Sequence, residues 1–152
     1  MGHLWRAILT DAPPAARRAF FPLAAYEQVK AIGDPAADWK ERLLGDFALD
    51  IQAAHRLLGP GARLVRVEVP AGFAHWVPPG ACYNRVGYYE VPNSRVVYTS
   101  AGQEHSFGIA SMISWRGQWY VVHLGAVLRR AAIGVVDAPA AGTGVPAPSS
   151  TC

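Results

Sequence analysis

The stretch Ile109–Gly125, IASMISWRGQWYVVHLG, decides which fold this chain adopts. Two runs of apolar, aromatic and β-branched residues flank Arg116-Gly117, a pattern typical of a β-hairpin with a two-residue turn that contains glycine. Trp119 and Tyr120 lie near the tip, and one buried aromatic side chain removes about 150–250 Å² from water. We therefore predict that this hairpin is the stability centre of the domain. If Trp119 is buried, Trp119→Ala should cost about 3–5 kcal/mol.

Helical patterns precede the hairpin, and strand patterns surround it. Asp34-Pro35 supplies a cap and a first-turn proline for a long helix over about 36–58, whose apolar residues recur at spacings of three and four. From Arg63 the period changes to two, and turn residues such as Pro92-Asn93-Ser94 separate further strands. This order predicts an α+β fold, in which N-terminal helices pack on a curved antiparallel sheet of five to six strands.

Composition limits both the domain organisation and the partners. The chain has 152 residues, of which 51% are hydrophobic and 16% charged, so it suits one folded domain. We predict a single α+β domain over 1–136 and a flexible tail over 137–152, because the tail is rich in Ala, Pro, Ser and Thr. A net charge of +3 is weak evidence for nucleic acid, and no apolar run approaches the length of a membrane span. The compartment stays open, with a secreted or cell-envelope location slightly favoured over the cytoplasm.

Neither a metal nor a cofactor is predicted from the motifs. The chain contains no HExxH, CxxC or G-x-S-x-G pattern, and the spacing of Cys82 and Cys152 matches no metal site. The two cysteines can pair only if the tail folds back. Because the tail has no apolar pattern to hold it on the domain, we predict a free Cys152 in a reduced preparation.

Five side chains are candidates for a pocket or ligand-binding site: Glu90, His123, Tyr83, Tyr88 and His75. Tyr88 and Glu90 share one face of a predicted strand, and Glu90 is either an exposed edge residue or a general base. Strict alternation puts His123 on the face of Trp119 and Val121. His123 is then either a core histidine with one hydrogen-bond partner or a pocket residue, and the packing role is favoured. We predict that His123→Gln lowers stability and that Glu90→Gln changes little.

The order of the elements resembles the nuclear transport factor 2-like (NTF2-like) and cystatin-like cone folds, in which a long helix lies in a bent sheet. The segment WRGQWYVVHL looks like the last hairpin of that superfamily. More narrowly, AFFPLAAYEQVKAI, WVPPGACYNRVGYYEV and SFGIASMISWRGQWYVVHLG resemble segments of an uncharacterised actinobacterial protein family, over about Ala15–Gly125. The resemblance implies an α+β cone. It transfers no activity and no site residue.

Two functions of different classes are compatible with these patterns. The first is a non-catalytic binding or protein-interaction module of the cell envelope or of a larger assembly, with a protein partner, a second copy or a small apolar ligand. The absence of a catalytic motif favours it over an enzyme. The alternative is a small NTF2-like isomerase or dehydratase, with an acid–base pair in an apolar pocket. A filled cone favours the first function, and a deep pocket with a carboxylate or imidazole at its floor favours the second.

Overall fold

Three helical segments form one layer of the protein. The computed structural model describes residues 1–127, 129 and 133–146. Helix α1 spans Gly2–Leu9 and buries Leu4, Ala7 and Ile8, which recur at the spacing of one helix face. Helix α2 spans Leu23–Val29 and begins directly after Pro22. No helix among the described residues is long and apolar enough to cross a membrane.

The long helix predicted over about 36–58 is present over residues 35–57. It consists of α3 (Pro35–Asp38), a π-helical turn (Trp39–Leu43) and α4 (Leu44–Leu57), which follow one another directly. Asp34 caps it, since its Oδ1 accepts a hydrogen bond of 2.9 Å from the amide of Ala37. The predicted apolar stripe is confirmed by its buried residues, Trp39, Leu43, Phe47, Ile51 and Ala54.

The second layer is an antiparallel sheet of six strands that does not close into a barrel. The strands are β1 (Arg63–Glu68), β2 (His75–Val77), β3 (Tyr88–Ser100), β4 (Gln103–Trp115), β5 (Gln118–His123) and β6 (Asp137–Ala141). Their order is β1-β3-β4-β5, while β2 pairs with β3 and β6 pairs with β4. Helices packed on an antiparallel sheet confirm the α+β class.

The hairpin of β4 and β5 is confirmed, but the burial of Trp119 is not. Arg116 and Gly117 have φ values of 49° and 79°, the left-handed pair that a two-residue hairpin turn of type I′ requires. Trp119 pairs with Ser114 in the ladder and is 46% exposed. The prediction that it is a core residue is therefore wrong: Trp119 lies near the open tip of the hairpin, where almost half of its surface stays in contact with solvent.

The aromatic core lies where the helices meet the sheet. The rings of Phe20 and Phe47 stack with their centroids 4.5 Å apart, and both side chains are buried. The indole N–H of Trp39 donates a hydrogen bond of 2.8 Å to the carbonyl of Phe21, so this buried polar group has a partner. These contacts tie the segment before α2 to the long helix.

The turn predicted at Pro92-Asn93-Ser94 is wrong, because these residues lie inside β3. The ladder to β4 continues across them, with Pro92 opposite Ser111 and Ser94 opposite Ile109. Asn93 alone has a left-handed backbone, with φ 51°. The turn residues thus produce a local irregularity in a strand whose long-range pairing is otherwise continuous.

The first part of the predicted flexible tail is instead a strand. In β6, Ala140 and Ala141 pair with Ser106 and His105 of β4. The buried guanidinium of Arg95 donates hydrogen bonds to the carbonyls of Ala138 (2.8 Å) and Thr143 (3.2 Å). Composition alone could not reveal these backbone partners. Residues 147–152 of the tail lie outside the described residues.

Candidate functional site

A small cavity of about 80 Å³ lies between α2, the long helix and the sheet. We call it the Glu90 pocket. Its polar lining comes from Tyr26, Lys30 and Arg42 on the helical side and from Tyr88, Glu90, Ser111 and His123 on the strands. Apolar side chains such as Val29, Leu43 and Ile113 complete its walls. Arg42 is exposed, so the pocket meets solvent on the side of the long helix.

A β-bulge in β5 directs His123 into this pocket. Met112 of β4 pairs with Val121 of β5, and Ser111, the residue before Met112, pairs with His123. Val122 therefore has no partner of its own in β4 and is an extra residue in β5. Because of this shift, His123 lies on the side of Ser111 and not on the side of Val121 and Trp119. The predicted face of His123 is therefore wrong, since the alternation of side chains does not run unbroken through β5.

Glu90 is held at the sheet side of the pocket. It is only 3% exposed, and the hydroxyl of Ser111 donates a hydrogen bond of 2.5 Å to its Oε1. The Nε2 atom of His75, on the neighbouring strand β2, lies 3.7 Å from its Oε2. The alternative that Glu90 is an exposed edge residue is therefore wrong: its carboxylate is buried and has polar neighbours on two strands.

His123 carries an uncharged imidazole at neutral pH. Burial lowers its pKa to about 4, and the positive charges of Arg42, Arg129 and Lys30 act in the same direction. Within the described part of the chain, we find no hydrogen bond to either ring nitrogen. A neutral imidazole has one donor and one acceptor nitrogen. His123 is therefore able to bind a ligand through either atom.

The helical side of the pocket is a rigid polar cluster. The hydroxyl of Tyr26 donates to Asp38 Oδ2, and Arg42 Nη2 donates to the Tyr26 oxygen over 3.2 Å. Arg42 also binds Asp38 through two hydrogen bonds, of 2.7 and 2.6 Å. Burial and the neighbouring Asp38 raise the pKa of Tyr26 well above its ordinary value. Tyr26 therefore stays a neutral phenol, and its orientation is fixed from both sides.

Lys30 is the remaining cation of the pocket. Its Nζ donates a hydrogen bond of 2.8 Å to the carbonyl of Cys82, and burial lowers its pKa, with the charge of Arg42 adding to the effect. The carboxylates of Asp38 and Glu90 oppose this shift. Lys30 thus lies in a partly desolvated place, beside the polar cluster of the helical side.

The five candidates from the sequence have different positions. Glu90, His123 and Tyr88 line the pocket together, and burial raises the pKa of Tyr88. His75 contacts Glu90 without lining the cavity, and Tyr83 is 76% exposed and lies outside it.

Sequence reasoning missed four polar residues of the pocket, Tyr26, Lys30, Arg42 and Ser111. The four-residue spacing of Tyr26 and Lys30 was the one available signal for the helical members. Nothing local connects either of them to Glu90.

The opposite side of the same strands carries exposed aromatic side chains. Trp76 and Tyr89 pair across β2 and β3, with their ring centroids 5.2 Å apart, and are 51% and 53% exposed. The amide of Tyr89 donates to Ser114 Oγ over 3.3 Å, and Ser114 pairs with Trp119. Trp76, Tyr89 and Trp119 therefore lie along one row across the sheet, on the side away from Glu90.

No metal centre is found in the part of the chain that the structure describes, since no group of three or more His, Cys, Asp or Glu side chains could hold an ion there. Cys82 is not a free thiol. Cys152, which the sequence predicts to be free, lies outside the described residues. Comparisons with family models, curated proteins and solved structures found no match to this chain.

Proposed function

We propose that the protein is a small-molecule-binding module whose ligand enters the Glu90 pocket. One observation carries the proposal: Glu90, Ser111 and His123, from three strands, converge with a polar helical cluster on one cavity. A cavity with a few convergent polar groups and perturbed pKa values is the usual place for a ligand. The imidazole of His123, for which no hydrogen bond is found among the described residues, supplies a place for that ligand to bind.

The size of the pocket limits the ligand. About 80 Å³ is smaller than the engineered apolar cavity of roughly 150 Å³ that takes up benzene. It is also well below the roughly 300–1,000 Å³ of sites for drug-sized molecules. The ligand therefore has only a few non-hydrogen atoms, or enters the pocket with one end of a longer molecule.

The lining indicates the chemistry of the ligand. On the helical side Lys30 adds a positive charge to the paired Arg42 and Asp38, whereas Glu90 and the neutral His123 lie on the sheet side. A molecule with a carboxylate at one end and a hydroxyl or amino group at the other has groups that complement both sides. We therefore propose a small 2-hydroxy or 2-amino acid. This differs from the small apolar ligand expected from the sequence, because the sequence did not reveal the cations.

A titration of ¹⁵N-labelled protein with lactate tests the proposal. We expect the amide signals of Glu90, Ser111 and His123 to shift in a saturable way. His123→Gln should weaken binding about two- to tenfold, which corresponds to one hydrogen bond. His105→Gln is the matched control, because it replaces an imidazole outside the pocket. Shifts confined to other residues, or equal losses in both variants, would contradict the proposal.

Acid–base catalysis on the bound molecule is a second candidate function, favoured by the buried Glu90 carboxylate beside His123. If it occurs, the C–H beside the ligand carboxylate should exchange with solvent deuterium. Glu90→Gln should then abolish this exchange, and Glu104→Gln, outside the pocket, should not. If the wild-type protein binds the ligand without any exchange of this C–H, catalysis is contradicted and only the binding function remains supported. The expectation of a protein partner or a homo-oligomer stays a prediction.

A further inference from the structure

Lys30 stands out because this chain uses lysine so sparingly. The sequence has fourteen Lys and Arg residues, and only two of them, Lys30 and Lys40, are lysines. Lys30 lines the Glu90 pocket, whereas Lys40 is exposed on the long helix and lines no described cavity. Arginine cannot act as a neutral amine at physiological pH, but lysine can. The chain therefore has one lysine amine in the pocket and one equivalent lysine amine in solvent.

The surroundings of Lys30 favour its neutral form more than those of an exposed lysine. The side chain is partly buried, and the guanidinium of Arg42 lies near enough to disfavour a second positive charge, whereas the carboxylates of Asp38 and Glu90 act in the opposite direction. The hydrogen bond from Nζ to the carbonyl of Cys82 fixes the position of the amine at the pocket wall. Lysines become nucleophiles in proteins when they are desolvated or placed beside another cation. Both conditions hold at Lys30.

We propose that Lys30 forms a Schiff base with a small aldehyde or 2-oxo acid that enters the Glu90 pocket. The inference rests on the proposed function, because it requires that a small molecule enters this pocket. It adds a covalent step and a substrate class, since the ligand must carry a carbonyl carbon. A carboxylate on the same molecule would be attracted by Arg42 at the side of the pocket that meets solvent.

The step balances without an oxidant or a reductant. The lone pair of Nζ adds to the carbonyl carbon, the C=O π pair moves to oxygen, and that oxygen takes up a proton to give a carbinolamine. The hydroxyl then takes a second proton and leaves as water, while nitrogen gives up its two N–H protons, which balance the two taken up by oxygen. The net change is amine plus carbonyl to imine plus water. Glu90 and Tyr88 line the same cavity and are the groups that can relay these protons.

Reductive trapping tests this inference on the intact chain. The wild-type protein is incubated with pyruvate and sodium cyanoborohydride at neutral pH, and tryptic peptides are analysed by mass spectrometry. Of the two lysines, we expect Lys30 to carry the reduced adduct, saturable in pyruvate and formed at least about tenfold faster than any adduct at Lys40. Trapping at the α-amino group of Met1 is scored separately, on its own peptide. Lys30→Arg should lose the adduct, and Lys40→Arg should keep it. The site of the adduct in the wild-type protein decides the matter even if Lys30→Arg does not fold.

Lactate separates failure of this inference from failure of the proposed function, because it has the shape of pyruvate without the carbonyl. Lactate that shifts the pocket signals, with no adduct from pyruvate, overturns the Schiff base and leaves the binding function intact. No shift and no adduct overturn both. Equal trapping rates at Lys30 and Lys40 also overturn the inference, because the pocket would then add nothing to the reactivity of an ordinary amine.

Discussion

Asp50 connects the long helix to the chain that follows the last hairpin, and its removal gives the sharpest test of the fold. Its carboxylate is 1% exposed and accepts hydrogen bonds from the amides of Gly125 (2.8 Å) and Val135 (2.9 Å). It also binds both terminal nitrogens of Arg129, whose side chain is 5% exposed. One buried carboxylate therefore accepts hydrogen bonds from donors in three separate residues of the chain.

We expect Asp50→Asn to lower the free energy of unfolding by about 3–5 kcal/mol, because it leaves the buried guanidinium of Arg129 without its counter-charge. This is a large share of the roughly 5–15 kcal/mol that stabilises a typical domain. At about 2–4 °C per kcal/mol for a chain of this length, the melting temperature should fall by roughly 6–20 °C. Asparagine keeps the size of the side chain, so the loss reflects charge and hydrogen bonding.

Guanidinium-induced unfolding, followed by tryptophan fluorescence, measures this difference. Asp46→Asn is the matched control, since Asp46 lies on the same helix but is only partly buried, and it should change stability by no more than about 0.5 kcal/mol. Combining Asp50→Asn with Arg129→Met should recover part of the loss, because no charge is then left buried and the asparagine oxygen can still accept from a backbone amide. A loss below about 1 kcal/mol for Asp50→Asn would refute the reasoning, since such a value is typical of an exposed ion pair.

Three further outcomes are expected. Trp119→Ala should change stability by less than about 1 kcal/mol, whereas Phe47→Ala should cost about 3–5 kcal/mol, and equal losses in thermal melts would contradict the core described above. Because the pKa of His123 is lowered from 6.5 to about 4 in the fold, the unfolded chain binds the proton first. The contribution of the neutral His123 to the free energy of unfolding should therefore be fully present above pH 6.5. It should be lost as the pH falls towards 4, by at most about 1.4 kcal/mol per pH unit. His123→Gln should flatten this part of the pH profile, and an unchanged slope would contradict the burial of His123. Cys82 should react with iodoacetamide only after reduction, and labelling of the unreduced protein in mass spectrometry would show that it is a free thiol.

Local patterns were sufficient to predict the fold class. The turn at Arg116-Gly117 depends on two adjacent residues with left-handed backbones, and the long helix depends on the Asp34 cap and a regular apolar spacing. Each of these features is decided within a few residues of sequence. The helices-then-strands order therefore led to the correct α+β class.

The features that failed depend on partners far away in the chain. The tail residues Asp137–Ala141 form a strand because β4 offers them backbone partners about thirty residues earlier. Trp119 is 46% exposed near the tip of the hairpin, although its residue type favours burial and Val121, two residues further along β5, is buried. Residue type indicates how strongly a side chain tends to be buried, but whether it is buried depends on which other parts of the chain pack against it.

Only the part of the pocket that lies on one strand could be predicted, because the other residues reach it from distant parts of the chain. Tyr88 and Glu90 alternate with an exposed tyrosine in one strand, so their shared face could be read from the sequence. Lys30 reaches the pocket from a different element, and its carbonyl partner, Cys82, is 52 residues away. His123 was a candidate by residue type, but the side to which its imidazole points depends on the β-bulge in β5, which no sequence motif predicts.

The bulge at Val122 also makes β5 tolerant to a change of length. A chain without Val122 would place the same imidazole opposite Ser111 in a regular ladder, because His123 would then follow Val121 directly. Deleting this one extra residue would remove the bulge and leave the pairing of the flanking residues unchanged. Inserting a residue would instead enlarge the bulge or shift the pairing of β5 with β4. We expect this strand to accept shortening at Val122 more readily than lengthening.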